Sequence, residues 1–237
     1  MTILSEIVDE EVELQHLLST PLRDLISKKK VDLKIVNDNE QDLLNELNLL
    51  IEETFPSKEA ENYKPSFVFD TEENPLCFAC LKKGEIIGGV TVNFDFEDNS
   101  VTLISIAVDV KSKNKKIGSL LMLALHDICL ELDITSISLI SSSAGKAFYN
   151  SFGFIEKAHD SFECSIPFEE KIIKSKLSSI VTKNQDISDE KMKPKRSNEV
   201  LINSSIFKSK NTDDKIAVEE DEDQTVILDR CKRRKIS

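Results

Sequence analysis

Apolar positions change their spacing several times along the chain, and each change marks a predicted element. Ile3, Leu4, Ile7, Val8, Val12, Leu14, Leu17 and Leu18 recur at helical spacing, with Glu6, Asp9, Glu10 and Glu13 between them. This pattern predicts an amphipathic helix. Thr20-Pro21 reads as a cap followed by proline at the first helical position; it opens a short second helix through Leu22, Leu25 and Ile26 that ends at Lys28-Lys29-Lys30. Alternation around Leu33 and Ile35 predicts a strand. The stripe Leu43, Leu44, Leu47, Leu50 and Ile51 predicts a helix capped by Asn37 or Asp38 and closed by Phe55-Pro56.

A polar connection through Tyr63 follows. Apolar runs over 76–81 and 86–96 flank the turn Lys83-Gly84-Glu85 and predict an antiparallel hairpin. The turn Asp98-Asn99 adds a third strand over 101–108. After a polar loop over 109–116 come a strongly apolar helix over 119–131, a strand over 136–141 and a short helix over 144–151. Gly153-Phe154 leads into a last pair of strands ending near Phe168. The order predicts an α/β fold with a mixed sheet: an antiparallel N-terminal meander, a parallel pair around the central helix, and flanking helices.

Beyond Glu169 the sequence is Lys, Ser, Asp, Glu and Asn with scattered Ile and Val. Apart from a short helix over 172–180, it offers too little apolar surface to offset about 1 to 2 kcal/mol of backbone entropy per residue. Three regions are therefore expected: an N-terminal helical extension over 1–30, one domain over 31–168, and a tail without a stable fold over 169–237.

Composition sharpens this division. All six glycines fall between Gly84 and Gly153, so turn chemistry is concentrated in the middle of the chain. Residues 1–168 carry 29 acidic against 15 basic side chains, whereas residues 169–237 carry 14 against 16. A domain this acidic repels a nucleic acid backbone and attracts cationic partners such as basic peptides or small amines. Five cysteines, an odd number set mostly in apolar runs, imply a reducing compartment. Cys77-x-x-Cys80 lacks a second pair, and residues three apart in a strand face opposite ways, so no metal site is expected there. No run reaches the roughly 18 apolar residues that a membrane span needs, and the N-terminus is acidic. A soluble intracellular protein with no membrane partner is the expectation.

Two segments could carry chemistry. The strand over 105–108 runs into a lysine-rich loop and then Gly118-Ser119. A loop folded over a helix N-terminus makes an anion site suited to a diphosphate, and Lys111, Lys113, Lys115 and Lys116 strengthen its field. The second segment, over 144–154, packs a helix through Phe148, Phe152 and Phe154 and holds Tyr149, whose hydroxyl has a transferable proton.

Together these segments resemble the GNAT N-acetyltransferase superfamily across roughly 31–168. The hairpin Lys83-Gly84-Glu85-Ile86-Ile87-Gly88-Gly89-Val90 is similar to the family's glycine-bearing hairpin. Lys113-Asn114-Lys115-Lys116-Ile117-Gly118 stands against Arg/Gln-x-x-Gly-x-Gly/Ala, with Lys113 replacing Arg or Gln and Lys116 replacing the first glycine. Phe148-Tyr149-x-x-x-Gly153-Phe154 matches the family's Phe-Tyr-x-x-x-Gly-Phe signature outright.

The resemblance implies acetyl-CoA as cofactor. Pantetheine would pair with backbone at Ile106, Ala107 and Val108. The diphosphate would lie on Lys113, Asn114, Lys115, Lys116, Ile117, Gly118 and Ser119. Ser142 would take the place of a cofactor-binding Asn, and Tyr149 would act as general acid. Relatives often carry a Glu base on the third meander strand or its neighbour; here Glu97, Asp95 or Asp98 would have to act through water. The implied activity is acetyl transfer to a primary amine on a basic protein or peptide, or on a small amine. The alternative is a catalytically inactive module of the same fold acting as a nuclear interaction protein.

The tail adds two short motifs. An acidic run over 219–223 precedes Val226, Ile227 and Leu228 and resembles a SUMO-interacting motif. The cluster Arg230-Cys231-Lys232-Arg233-Arg234-Lys235, with a second basic run over 191–196, resembles a nuclear localisation signal. A nuclear location is expected, the cytoplasm being the alternative.

Overall fold

The computed structural model describes residues 14–55, 62–158 and 160–182. The expected helix over 3–18 lies largely outside these residues; its end is a 3-10 turn, Leu14–Leu17. The tail motifs at 191–196 and 219–235 also lie outside them. Helix α1 (Thr20–Lys29) has proline in its first turn and ends at Lys30 in the left-handed region. Then come β1 (Asp32–Val36), α2 (Gln41–Thr54), α3 (Pro65–Thr71), β2 (Pro75–Lys82), β3 (Glu85–Asp95) and β4 (Ser100–Val108). Next are α4 (Ile117–Glu131), β5 (Ser136–Ile140), α5 (Lys146–Asn150), β6 (Ile155–Ala158), β7 (Ser161–Ser165) and α6 (Glu170–Thr182).

The strands form one mixed sheet in the order β1-β2-β3-β4-β5-β7-β6. All pairings are antiparallel except β4 with β5. That single parallel pair requires a crossover, which α4 supplies. Between β2 and β3 the chain reverses through Lys83 and Gly84, both with positive φ, the pattern of a two-residue hairpin turn whose twist suits the strands.

Two cores sandwich the first four strands. On one face α1, α4 and α6 bury Leu76, Phe78, Cys80, Val90, Val92, Phe94, Ile137, Leu139 and Phe162. On the other face α2 buries Cys77, Ala79, Leu81, Ile86 and Ala107 beneath Leu44, Leu47, Leu50 and Ile51. Cys77 and Cys80 thus point into different cores. Gly88 and Gly89 let a helix approach β3 from each side. A methyl on Gly88 would lie 2.9 Å from Ile117 Cγ2 and 3.1 Å from the carbonyl oxygen of Ala107, and one on Gly89 would lie 2.3 Å from Leu47 Cδ1.

One element, α3, was not foreseen, and the helix expected over 172–180 packs on the domain. The expected polar connection after α2 contains α3, opened by Pro65 at its first position and burying Pro65 and Val68. Packing also continues beyond Phe168, because α6 seals the α4 face with buried Ile180 and half-buried Ile172, Ile173 and Leu177. Among the described residues no helix is long and apolar enough to cross a membrane.

Candidate active site

The site begins with a fault in the sheet. Strand β4 pairs with β3 from Ser100 to Val108 but with β5 only through Ser100, Val101, Thr102 and Leu103. Opposite β3 the register passes from Leu103↔Val92 to Ser105↔Thr91, so Ile104 is an inserted residue. Such a bulge bends its strand and shifts the phase of its side chains. Before it Val101 and Leu103 face the α4 core; after it Ile106 and Val108 do, while Ala107 joins the α2 core. Beyond Leu103 β4 runs on without a partner on its β5 side.

The free edge of β4 can be read from its partner side. Asp109 donates its N–H to the carbonyl of Ile87 at 3.1 Å, so Ala107 also turns its backbone groups toward β3. The N–H and C=O of Ile106 and Val108 consequently face the gap. An extended amide-containing chain could add there as a strand does.

The loop beyond β4 leads onto the N-terminus of α4. Asp109 Oδ1 accepts the N–H of Lys111 at 3.2 Å and caps a 3-10 turn, Val110–Ser112. Asn114 and Lys116 both take positive φ. Lys116 is the N-cap of α4 with φ 63° and ψ 23°, a conformation that glycine adopts without a Cβ penalty. The first helical hydrogen bond runs from Leu120 to Lys116, leaving the N–H groups of Ile117, Gly118 and Ser119 outside the helical ladder. Lys113 and Lys115 are exposed and Lys116 is half-buried. From α1, Lys29 Nζ donates to the carbonyl of Lys115 at 3.2 Å, holding the loop from behind.

Helix α5 closes the far side. The ring of Phe148 reaches within 3.6 Å of where a Gly118 methyl would be, tying α5 to the first turn of α4. Tyr149 is buried, edge-on to Phe148 and Phe154 with ring centroids 5.2 Å and 5.7 Å away. A methyl on Gly145 would lie 3.0 Å from the Tyr149 ring and 2.8 Å from Ser141 Oγ, so Tyr149 sits against the end of β5. Burial pushes its phenol up to about 12, which keeps the hydroxyl protonated and able to donate at neutral pH.

Residues 41–154 match the model of the acetyltransferase (GNAT) family. The chain carries a GNAT acetyltransferase domain. Among solved structures, it is similar to GCN5 from Tetrahymena, with 20% identity and a TM-score of 0.51 over 57% of this chain and 96% of that one. The ribosomal-protein-S18-alanine N-acetyltransferase of Escherichia coli is 18% identical, with a TM-score of 0.48 over 57% and 94% of the two chains. The PaiA N-acetyltransferase of Thermoplasma acidophilum, solved in complex with coenzyme A, is 16% identical, with a TM-score of 0.46 over 57% and 98%. No curated protein sequence matches the chain significantly.

In this GNAT domain the segments singled out in the sequence come together around the gap between β4 and β5. Ile106 and Val108 lie along its edge, the loop over 113–116 carries β4 onto the first turn of α4, and Tyr149 sits by Ser141 at the end of β5. Ala107 does not line the gap, because it faces the α2 core. Ser142 is exposed, and its carbonyl accepts from Ser141 Oγ at 2.8 Å and from the N–H of Gly145 at 2.9 Å. Ser141, which sequence reasoning passed over, is the buried hydroxyl beside Tyr149.

The carboxylates considered as bases lie at the wrong end of β4. Asp95 Oδ1 accepts the N–H groups of Glu97 and Asp98, each at 3.1 Å, within the β3–β4 turn. Six residues of strand, about 20 Å, separate that turn from Ile106. One bridging water cannot span this distance, so none of the three serves the gap.

Proposed function

We propose that this chain is an acetyl-CoA-dependent N-acetyltransferase acting on a primary amine of a basic protein or peptide. The reading rests on one observation above all: β4 bulges at Ile104 and leaves β5 beside the open amides of α4. A gap with unpaired strand groups along one side and a helix N-terminus at its end suits a ligand that is amide-bearing at one end and anionic at the other. Acetyl-CoA fits that description and supplies an acyl thioester.

Each residue then has a definite task. Ile106 and Val108 align the pantetheine amides, and the N–H groups of Ile117, Gly118 and Ser119 with Lys113 and Lys116 take the diphosphate. Tyr149 donates its proton to the sulfur as the acceptor amine displaces it. The acceptor reaches the gap over the uncovered face of β5, where Ile140 is 80% exposed. The excess of acidic side chains in residues 1–168 favours a cationic acceptor.

Calorimetric titration with acetyl-CoA, followed by thiol release on adding lysine-rich peptides, tests the reading. Binding with peptide-dependent release is expected. Absence of acetyl-CoA binding would overturn it in favour of a module that only binds partners. We further propose that the basic cluster over 230–235 directs the chain to the nucleus and that Val226, Ile227 and Leu228 contact SUMO. Deleting 230–235 from a fluorescent fusion should shift it to the cytoplasm, and changing the three apolar residues to Ala should abolish SUMO capture.

A further inference from the structure

Helix α6 lies beyond the matched family segment, yet it sets a cation against the end of α5. Lys176 crosses the ring of Phe152 with Nζ 4.0 Å from its centroid and donates to Ser151 Oγ, just beyond α5. The other lysines near the start of α6 are paired with carboxylates: Lys171 with Glu169 and Lys174 with Glu170, each at 2.6 Å. Among the described residues, neither Lys176 nor Lys116 has a carboxylate partner. Both are half-buried. The charge on Lys176 is opposed first by burial and then by Lys116, which holds its ammonium below the usual lysine range.

Phe152, beneath Lys176, packs on Phe148 with ring centroids 5.2 Å apart, and Phe148 in turn reaches the Gly118 position two residues from Lys116. Two cations carried to this region by α6 and by the N-cap of α4, without a counter-charge, are unfavourable as they stand. An anion placed between them would relieve the repulsion and gain charge-assisted hydrogen bonds from both ammonium groups. Phe152 and Ser151 already hold the Lys176 ammonium in place, so little side-chain freedom is lost when the anion arrives.

We propose that Lys176 and Lys116 form a phosphate site completed by α6, and that this site holds a phosphate of the bound coenzyme. The proposal rests on the acetyl-CoA reading above. It makes α6 a working part of the domain, whose removal would weaken cofactor binding even where the sheet survived.

Calorimetric titrations of the full chain with coenzyme A and with 3′-dephospho-coenzyme A, across Lys176→Met and Lys176→Arg, test it. Met keeps an unbranched apolar side chain and removes the charge; Arg keeps the charge. Lys176→Met should bind coenzyme A about tenfold more weakly than wild type, and Lys176→Arg should recover most of the loss. If dephospho-coenzyme A is indifferent to Lys176→Met, the 3′-phosphate is the group held; if it weakens equally, the diphosphate is. Either result supports the site. Unchanged affinity in Lys176→Met, or equal loss in Met and Arg, overturns it while leaving the acetyl-CoA reading in place. Absence of binding by wild type would overturn that reading and this one together.

Discussion

His126 Nε2 accepts the backbone N–H of Phe168 at 3.2 Å, and the two rings stack with centroids 4.7 Å apart. The acceptor role leaves the proton on Nδ1, which donates to Asp127 Oδ1 at 3.2 Å. Asp127 Oδ2 in turn accepts the N–H of Ser19 at 2.9 Å. Two adjacent residues of α4 thereby fasten the chain on both sides of the domain, at the entry to α1 and ahead of α6. His126→Leu would orphan the buried N–H of Phe168. We expect a loss of about 1 to 3 kcal/mol, read as a lower urea midpoint with an unchanged slope.

Tyr149→Phe removes a proton donor while keeping the ring packed on Phe148 and Phe154. Turnover should fall by about 10²-fold or more, with acetyl-CoA affinity within about twofold of wild type. The hydroxyl is held above its ordinary range, to about 12, by burial. Its raised value favours the protonated form in the folded chain. That contribution to stability is complete below the ordinary phenol range and is lost as pH rises through about 12. Proton donation follows the same direction, so wild-type turnover should show no alkaline decline due to this group below about pH 11. Steady-state rates and calorimetry, run on both proteins across pH, check this.

Gly88→Ala and Gly89→Ala should separate fold from function. At Gly88 the new methyl meets Ile117 in the first turn of α4 and the backbone oxygen of Ala107; at Gly89 it meets only the end of Leu47. Both should destabilise, by about 1 to 3 kcal/mol. Only Gly88→Ala pushes on the amides proposed to receive the diphosphate, so only it should also weaken acetyl-CoA binding.

Lys116 has a left-handed backbone conformation that costs a side-chain-bearing residue about 1 kcal/mol. Lys116→Gly should raise the melting temperature in the absence of ligand. Loss of the ammonium should at the same time weaken coenzyme A binding. A thermal melt paired with a titration would show the two effects moving in opposite directions.

Burial pushes the thiols of Cys77, Cys80 and Cys129 up to about 12, and that of Cys164 upward as well. Near pH 8 these four should resist alkylation until the chain unfolds. Mass spectrometry of iodoacetamide-treated protein, with and without urea, measures it.

The sheet order and most helices were legible because their apolar spacing is unambiguous: α2 shows its stripe from Leu43 to Ile51, and β2 and β3 flank a Lys83-Gly84 turn. Helix α3 was not, since seven residues are too few for a period; Pro65 at its first position was the available signal. The Tyr149 segment was legible from its signature. The fault that opens the site was invisible, because Leu-Ile-Ser-Ile-Ala-Val over 103–108 does not announce which residue is surplus, and only the register with β3 identifies Ile104. The partnership of Lys176 with Lys116 was beyond reach for another reason: 60 positions separate them, and the short helix expected over 172–180 gave no sign of packing on the domain.

Only four residue pairs stitch β4 to β5, so the two halves of the sheet meet along a short seam. A molecule seated beyond Leu103 would lengthen that seam and behave as mortar rather than as cargo alone. At a hundredfold excess over its dissociation constant it would add about 2.7 kcal/mol to the stability of the chain. The supply of coenzyme would then govern how long each copy survives proteolysis, as well as how fast it works.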